Sequence, residues 1–171
     1  MSKPSITSVV EALQLLFSSM ANREFSKTLA LHEWSEREMA PLARAFLLGR
    51  FGQVIPEVRA KLNTAKSGYG RIDFCLGDIG IELAVRRRTD SKRPLSDRVN
   101  EDEIQKLARW EGRALLVLFD FAAKPLARDD LERFREWKSF GPGSFKTSPF
   151  HVSHHYLEDG IPTARKLRIE W

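Results

Sequence analysis

Apolar and polar residues alternate twice in quick succession between Gly70 and Arg88, GRIDFCLGDIGIELAVRRR. Ile72, Phe74 and Leu76 fall on one face of an extended strand, and Arg71, Asp73 and Cys75 on the other. In the second run Ile81, Leu83 and Val85 share a face, with Glu82, Ala84 and Arg86 opposite. Gly77, Asp78 and Gly80 supply turn chemistry between the runs, so the two are expected to pair as an antiparallel hairpin. Asp73 and Glu82 then stand on the same sheet face. Two carboxylates held side by side repel, unless a proton or a divalent cation lies between them.

Helical spacing flanks this ribbon. Val9, Val10, Leu13, Leu16 and Phe17 predict a helix over 8–20, and 24–31 a second short helix or its continuation. Ser35 to Gly49 has the strongest pattern. Ser35 and Glu38 form a capping box, and Met39, Leu42, Ala43, Phe46 and Leu47 make an apolar stripe. Pro41 lies deeper than the first turn, which predicts a kink or a later start. Gly49 and Gly52 are expected to stop the helix. Asn100 opens another helix, with Glu103 at the capping-box position and Ile104, Leu107 and Ala108 on one face, ended by Gly112.

Val54 to Arg59 reads as a strand at or near a sheet edge, because Pro56 cannot donate to a ladder. Leu62 to Gly70 reads as a loop, and Thr89 to Val99 as a polar, basic connection. Arg113 to Phe121 holds the continuous apolar run ALLVLF, expected of a strand covered on both faces. Asp129 or Asp130 caps a helix with Leu131, Phe134 and Trp137 inward, broken by Gly141-Pro142-Gly143. Phe150 to Tyr156 and Lys166 to Trp171 are further strands. The helix between Arg88 and Arg113 is a crossover, so the strand after it can run parallel to an earlier one. The expectation is an α/β domain, residues 1–171, whose mixed sheet is flanked by helices.

Composition narrows the picture slightly. At 171 residues, with 42% hydrophobic and 30% charged positions, the chain can bury one ordinary core. No apolar run approaches the roughly 20 residues of a spanning helix, and Glu11 and Gln14 interrupt the N-terminal apolar stretch. The single cysteine, Cys75, excludes an internal disulfide framework and fits a reducing, cytoplasmic setting. It is expected to act as a small packed hydrophobe. A net charge of +5 permits a polyanionic partner without requiring one.

The order helix, three strands, helix, strand, from about Ser35 to Phe121, resembles the core of the PD-(D/E)XK, or restriction-endonuclease-like, superfamily. On that resemblance the segments before and after this core are a helical and a C-terminal extension. It implies a Mg²⁺- or Mn²⁺-dependent nuclease hydrolysing phosphodiester bonds in DNA, often working as a homodimer. Asp73 in GRIDF matches the superfamily's metal-binding Asp, with Ile72 in place of the proline, and Glu82 in IELAV matches its acidic partner. Ala84 stands where the lysine that supports the attacking water is expected. Arg86, two residues on, and Lys106, on the following helix, are the candidate substitutes. Gln105 resembles the Gln some subfamilies carry on that helix. Glu57, or Glu36 or Glu38, resembles the additional acidic ligand of some members.

The competing readings are blander. Asp73 and Glu82 can be surface ion pairs with Arg71 and Arg86, contributing little. The basic run Arg86, Arg87, Arg88, Lys92 and Arg93 is either a phosphate-contacting arm or a solvated connection. A non-catalytic nucleic-acid-binding or protein-interaction module on the same fold is the alternative to an enzyme. His151, His154 and His155 invite a zinc site, but 151 and 154 point to opposite faces of a strand, so they read as surface histidines. Trp110, Trp137 and Trp171 are expected in or against the core.

Overall fold

The computed structural model describes residues 3–61, 68–90, 97–136 and 148–170, with side chains from 102 onward in the 97–108 helix. The chain forms α1 (Ile6–Met20), α2 (Arg23–Ser26), α3 (Glu36–Phe51), β1 (Ile55–Lys61), β2 (Tyr69–Leu76) and β3 (Ile79–Arg86). There follow α4 (Asp97–Ala108), β4 (Arg113–Asp120), α5 (Arg128–Glu132), β5 (Phe150–Glu158) and β6 (Ile161–Ile169). The six strands lie in one sheet in chain order. β1, β2 and β3 are successively antiparallel, β3, β4 and β5 are parallel, and β6 returns antiparallel to β5. The expected α/β architecture with a mixed sheet is what the chain adopts.

Two apolar layers sandwich the sheet. Val9, Leu13, Leu16 and Phe17 of α1 and Met39, Ala43 and Leu47 of α3 bury against Ile81, Leu83, Leu115, Val117 and Phe119. Ile104, Leu107 and Ala108 of α4 and Leu131 of α5 bury against the opposite face, on Leu116, Leu118, Phe150 and Val152. β4 feeds alternate residues to both layers, which is why its sequence is apolar throughout. Each fully buried aliphatic side chain contributes roughly 1.5–3 kcal/mol.

Several boundaries differ from the pattern reading. α1 starts at Ile6 because Ser5 and Ser8 cap each other: the Ser8 N–H donates to Ser5 Oγ (3.0 Å) and the Ser5 N–H to Ser8 Oγ (2.9 Å). α3 starts at Glu36 despite Pro41, since the Ser35–Glu38 box fixes its first turn. It runs through Gly49 and stops at Gly52, which takes the left-handed conformation (φ 76°). α4 begins at Asp97, so Glu103 lies in its body and not in a capping box. α5 is capped from Ala127, whose N–H donates to Asp130 Oδ2. β6 begins at Ile161, well before Lys166, because Asp159 and Gly160 both adopt positive φ (52° and 81°). That pair of angles suits a two-residue hairpin turn, joining β5 to β6. Trp137, Gly141-Pro142-Gly143 and Trp171 lie outside the described residues; Trp110 packs against the α4-side layer.

The histidine reading is corrected: His154 and His155 are fully buried on β5. His155 joins a polar chain that docks α1 onto the sheet. Gln14 Nε2 donates to the Pro162 carbonyl (3.1 Å), which can only accept, so its Oε1 faces His155 Nδ1 (2.7 Å). Nδ1 therefore carries the proton, and Nε2 accepts from the Ser153 hydroxyl (2.7 Å). Burial, with His154 alongside, pushes this imidazole down to about 3. Cys75 is buried as expected, its thiol donating to the Gly77 carbonyl.

Candidate functional site

β2 lies between two partners but keeps only one along its whole length. Its pairing with β1 runs from Ile55↔Cys75 to Lys61↔Tyr69. Its pairing with β3 covers only Phe74↔Ile81, Cys75↔Gly80 and Leu76↔Ile79. Below Phe74 the two strands part, and the fork leaves backbone groups needing partners. Asp73 Oδ2 accepts the Leu83 N–H at 2.7 Å, and Lys106 Nζ donates to the Arg71 carbonyl at 2.8 Å. Two charged side chains thus take the place of ladder bonds. The same fork breaks the expected alternation: Phe74 and Leu76 join the layer under α1 and α3, whereas Ile72 joins the layer under α4.

Acidic groups crowd round this fork. Glu82, on β3, is buried and its Oε1 lies 2.7 Å from Lys106 Nζ. Burial, then the Asp73 carboxylate, pushes Glu82 up to about 9, against the pull of Lys106. Burial raises Asp73 too, and the Leu83 N–H and Lys106 only partly offset it. Glu103, one turn before Lys106 on α4, is raised by burial and by the neighbouring Asp102 and Asp73. Glu103 Oε2 is buried without a hydrogen-bond partner among the described residues. Glu36, at the start of α3, is raised to about 7 by the protein packed round its carboxyl and by Asp73 and Glu103. Its surface is open to solvent, which screens part of that rise. Burial pushes the Lys106 ammonium down, but Glu82, Asp73 and Glu103 more than reverse it. Burial is the first reason all four carboxyls resist ionisation, and their shared negative charge, which the one ammonium offsets only in part, adds to it.

Glu36 and Asp73 open into a cleft of about 610 Å³ with Ser35, Arg37, Arg44 and Glu57. Glu57 lies between the Pro56↔Phe74 and Val58↔Ile72 pairs of the β1–β2 register, in the left-handed region (φ 55°), and pairs with Arg71 at 3.6 Å. Glu38 turns back to cap α3, its Oε2 accepting the Ser35 N–H at 2.6 Å, and it does not line this cleft. A separate cavity of about 500 Å³, bounded by Arg59, Tyr69, Arg109 and Trp110, contains none of these carboxylates. Among the described residues, no three His, Cys, Asp or Glu side chains converge closely enough to hold a metal ion as they stand.

Of the residues singled out from the sequence, the fold brings Asp73, Glu82 and Lys106 together and sets Glu57 beside them. It corrects two others. Gln105 is fully buried, so it can touch neither water nor phosphate in the cleft and serves at most to place α4. Arg86, four residues beyond Glu82 at the end of β3, is buried, and its Nη1 donates to both Asp120 oxygens (3.1 and 3.3 Å) and to the Lys124 carbonyl (2.9 Å). It is neither a substitute for the missing lysine nor part of a phosphate arm. The surface ion-pair reading of Asp73 and Glu82 falls with it, since Glu82 is buried and pairs with Lys106. Arg87 is held by Asp90 (3.2 Å), Arg88 is exposed, and Lys92 and Arg93 lie outside the described residues.

Sequence reasoning missed Glu103, Arg37 and Arg44. Glu103 and Lys106 are spaced i, i+3 on α4, the spacing that puts two side chains on one helix face. Arg37 and Arg44 are spaced i, i+7 on the polar face of α3. Compared with protein-family models, with curated proteins and with solved structures, the chain matches none.

Proposed function

We propose that the chain is a divalent-metal-dependent nuclease on the PD-(D/E)XK plan, hydrolysing phosphodiester bonds in DNA, with the plan's lysine carried on α4 as Lys106. The observation that carries this reading is the Lys106 ammonium 2.7 Å from Glu82 Oε1, beside Asp73, on a strand whose own lysine position holds Ala84. The element order from α3 to β4, helix, three strands, helix, strand, resembles that expected of a restriction-endonuclease-like core and supports the same reading.

The carboxylates of Asp73 and Glu82 are hard oxygen donors suited to Mg²⁺ or Mn²⁺. Mg²⁺ is commonly held by one or two carboxylates plus substrate phosphates, so a third converging acid is not required. Bound there, the ion would polarise a phosphoryl oxygen as a Lewis acid. The chain's own groups have separate tasks. Lys106, kept charged by the acids round it, orients the attacking water or a phosphoryl oxygen and takes no proton. Glu36, on the rim of the cleft and raised to about 7, is placed to accept a proton near neutral pH.

The test is cleavage of plasmid and single-stranded DNA with Mg²⁺ or Mn²⁺. Wild type is expected to cut, and Asp73→Asn and Lys106→Met to lose cutting. No cleavage by wild type on any substrate, or equal cleavage by Asp73→Asn, overturns the proposal.

One observation favours a second reading, a non-catalytic nucleic-acid-binding module. Glu82 has almost no surface, and the Lys106 ammonium already lies against it, where a cation's charge would otherwise stand. On this reading Lys106 replaces the metal permanently. Calorimetric titration with Mn²⁺ or Ca²⁺ separates the two: binding that requires both Asp73 and Glu82 favours the enzyme.

A further inference from the structure

A phosphodiester that enters the cleft must approach Asp73, Glu36 and Glu57, all acidic. Something beside them has to offset that repulsion. Arg37 and Arg44 line the same cleft, both exposed, and neither makes an ion pair among the described residues. They differ in this from Arg71, Arg86, Arg87 and Arg113, each of which is engaged by a carboxylate. Seven residues apart, they lie on one stripe of α3, separated by about 10.5 Å of helix rise. Between them the wall is made of Ala40 and Pro41, too short to obstruct a chain lying along the helix.

Resting on the nuclease reading of this cleft, we infer that a nucleic-acid strand lies along α3, with Arg37 and Arg44 each holding a backbone phosphate that flanks the one presented to Asp73. The two side chains spring from one rigid helix, so their spacing sets the strand's register over the carboxylates. Arginine suits this task, since its planar fork meets phosphate oxygens in pairs. The contacts are to the backbone, so they position the strand and carry no sequence preference. An acidic protein segment would meet the same guanidiniums, but nothing in it would present a hydrolysable ester to Asp73.

The experiment is fluorescence anisotropy with labelled single-stranded and duplex DNA oligonucleotides, in EDTA, across a salt series. Cleavage and metal binding then play no part. Loss of two phosphate contacts in Arg37→Gln/Arg44→Gln is expected to lower the slope of log K against log salt by about 1.4–1.8 and to weaken binding roughly tenfold or more at low salt. The control pair Arg23→Gln/Arg50→Gln removes the same charge from exposed positions outside the cleft and is expected to keep the wild-type slope. Thermal melts check that both pairs fold. Equal slopes for wild type and the cleft pair, an equal fall in the control pair, displacement of DNA by polyglutamate at matched charge, or no binding by wild type each overturn the inference. Slope loss confined to the cleft pair supports it, and if wild type then fails to cut DNA, the nuclease reading falls while the strand track stands.

Discussion

Lys106 and Glu82 come from different elements, yet their charged atoms lie 2.7 Å apart with little solvent on either. β3 has Ala84 where a lysine could reach the Asp73–Glu82 side, and α4 delivers the ammonium across the layer instead. The pair also closes the β2–β3 fork, since the same Nζ holds the Arg71 carbonyl. Removing one member leaves a buried group without its hydrogen-bond counterpart, which costs about 1–3 kcal/mol, and more where the stranded group is charged. Lys106→Met is therefore expected to lower the urea midpoint sharply, and Lys106→Met/Glu82→Met to recover most of the loss. Additive losses in that cycle would mean the two side chains act independently.

Asp73 has two tasks that substitution can separate. Its Oδ2 takes the Leu83 N–H at 2.7 Å, and its charge adds to the acidic cluster. Asp73→Asn keeps an oxygen acceptor and loses the charge, so it is expected to hold wild-type stability or gain slightly. Asp73→Ala strands the Leu83 N–H, at about 1–3 kcal/mol for an unsatisfied buried donor. Chemical denaturation of the two variants checks this; equal stability would show that the backbone bond contributes nothing at the fork.

The sheet was legible where a side-chain period coincides with one buried face. The hairpin about Gly77-Asp78, the edge position of Pro56 and the doubly covered β4 all follow from local pattern. The fork was not legible, because it consists of two strands ceasing to pair, and no residue between Tyr69 and Phe74 signals that. Its consequence, Ile72 turning to the opposite layer from Phe74, breaks a period that the sequence keeps. Asp73 and Glu82 could be paired from the hairpin register alone. That Lys106 and not Arg86 meets them depends on how α4 packs on the sheet and on Asp120 claiming Arg86. The buried histidines were missed for a related reason: their partners Gln14 and Asp120 are remote in sequence. The Asp159-Gly160 turn, by contrast, was readable from its residues.

Stability is expected to fall away on both sides of weakly acidic pH, for opposite reasons. His155 has its folded pKa depressed to about 3, so the unfolded chain binds the proton first. Its contribution is full above about 6.5 and is lost as pH falls towards 3. Glu82 is raised to about 9 when folded, so the folded chain keeps a proton that the unfolded chain releases. Its contribution is full below the ordinary value of 4.5 and is lost as pH rises through 9. Glu36, raised to about 7 but open to water, adds a smaller share of the same sign. Each group limits the slope to about 1.4 kcal/mol per pH unit. Urea midpoints in EDTA from about pH 3 to about pH 9 should show both limbs, the acid one below about pH 4.5, where Glu82 no longer offsets His155. Glu82→Gln should flatten the alkaline limb alone, and excess Mg²⁺ should do so in the wild type if the carboxylates take the ion. An alkaline limb unchanged in Glu82→Gln would place its cause elsewhere.

Arg86 and Asp120 should differ in what their removal costs, although they form one ion pair. Asp120 is the hub: its oxygens accept from Arg86 Nη1, from His154 Nε2 (3.0 Å) and from the Ala122 and Leu126 N–H groups (3.0 Å each). Burial alone would raise this carboxyl, but the bonds from His154 and Leu126 and the Arg86 charge hold it below its ordinary value. Arg86→Met leaves Asp120 with three of its four donors. Asp120→Ala instead takes the counter-charge from a buried guanidinium and the acceptor from a buried imidazole and from two backbone N–H groups that shape the segment after β4. Breaking a buried pair costs about 3–5 kcal/mol, and the stranded N–H groups add roughly 1–3 kcal/mol each, so Asp120→Ala is expected to be the more damaging substitution by several kcal/mol. Paired urea titrations of the two variants read this difference directly. Because Arg86 is buried, held by Asp120 and Lys124, and does not line the cleft, DNA binding per folded molecule should be unchanged in Arg86→Met. A specific loss of binding there would return Arg86 to the phosphate-contacting role that its burial denies it.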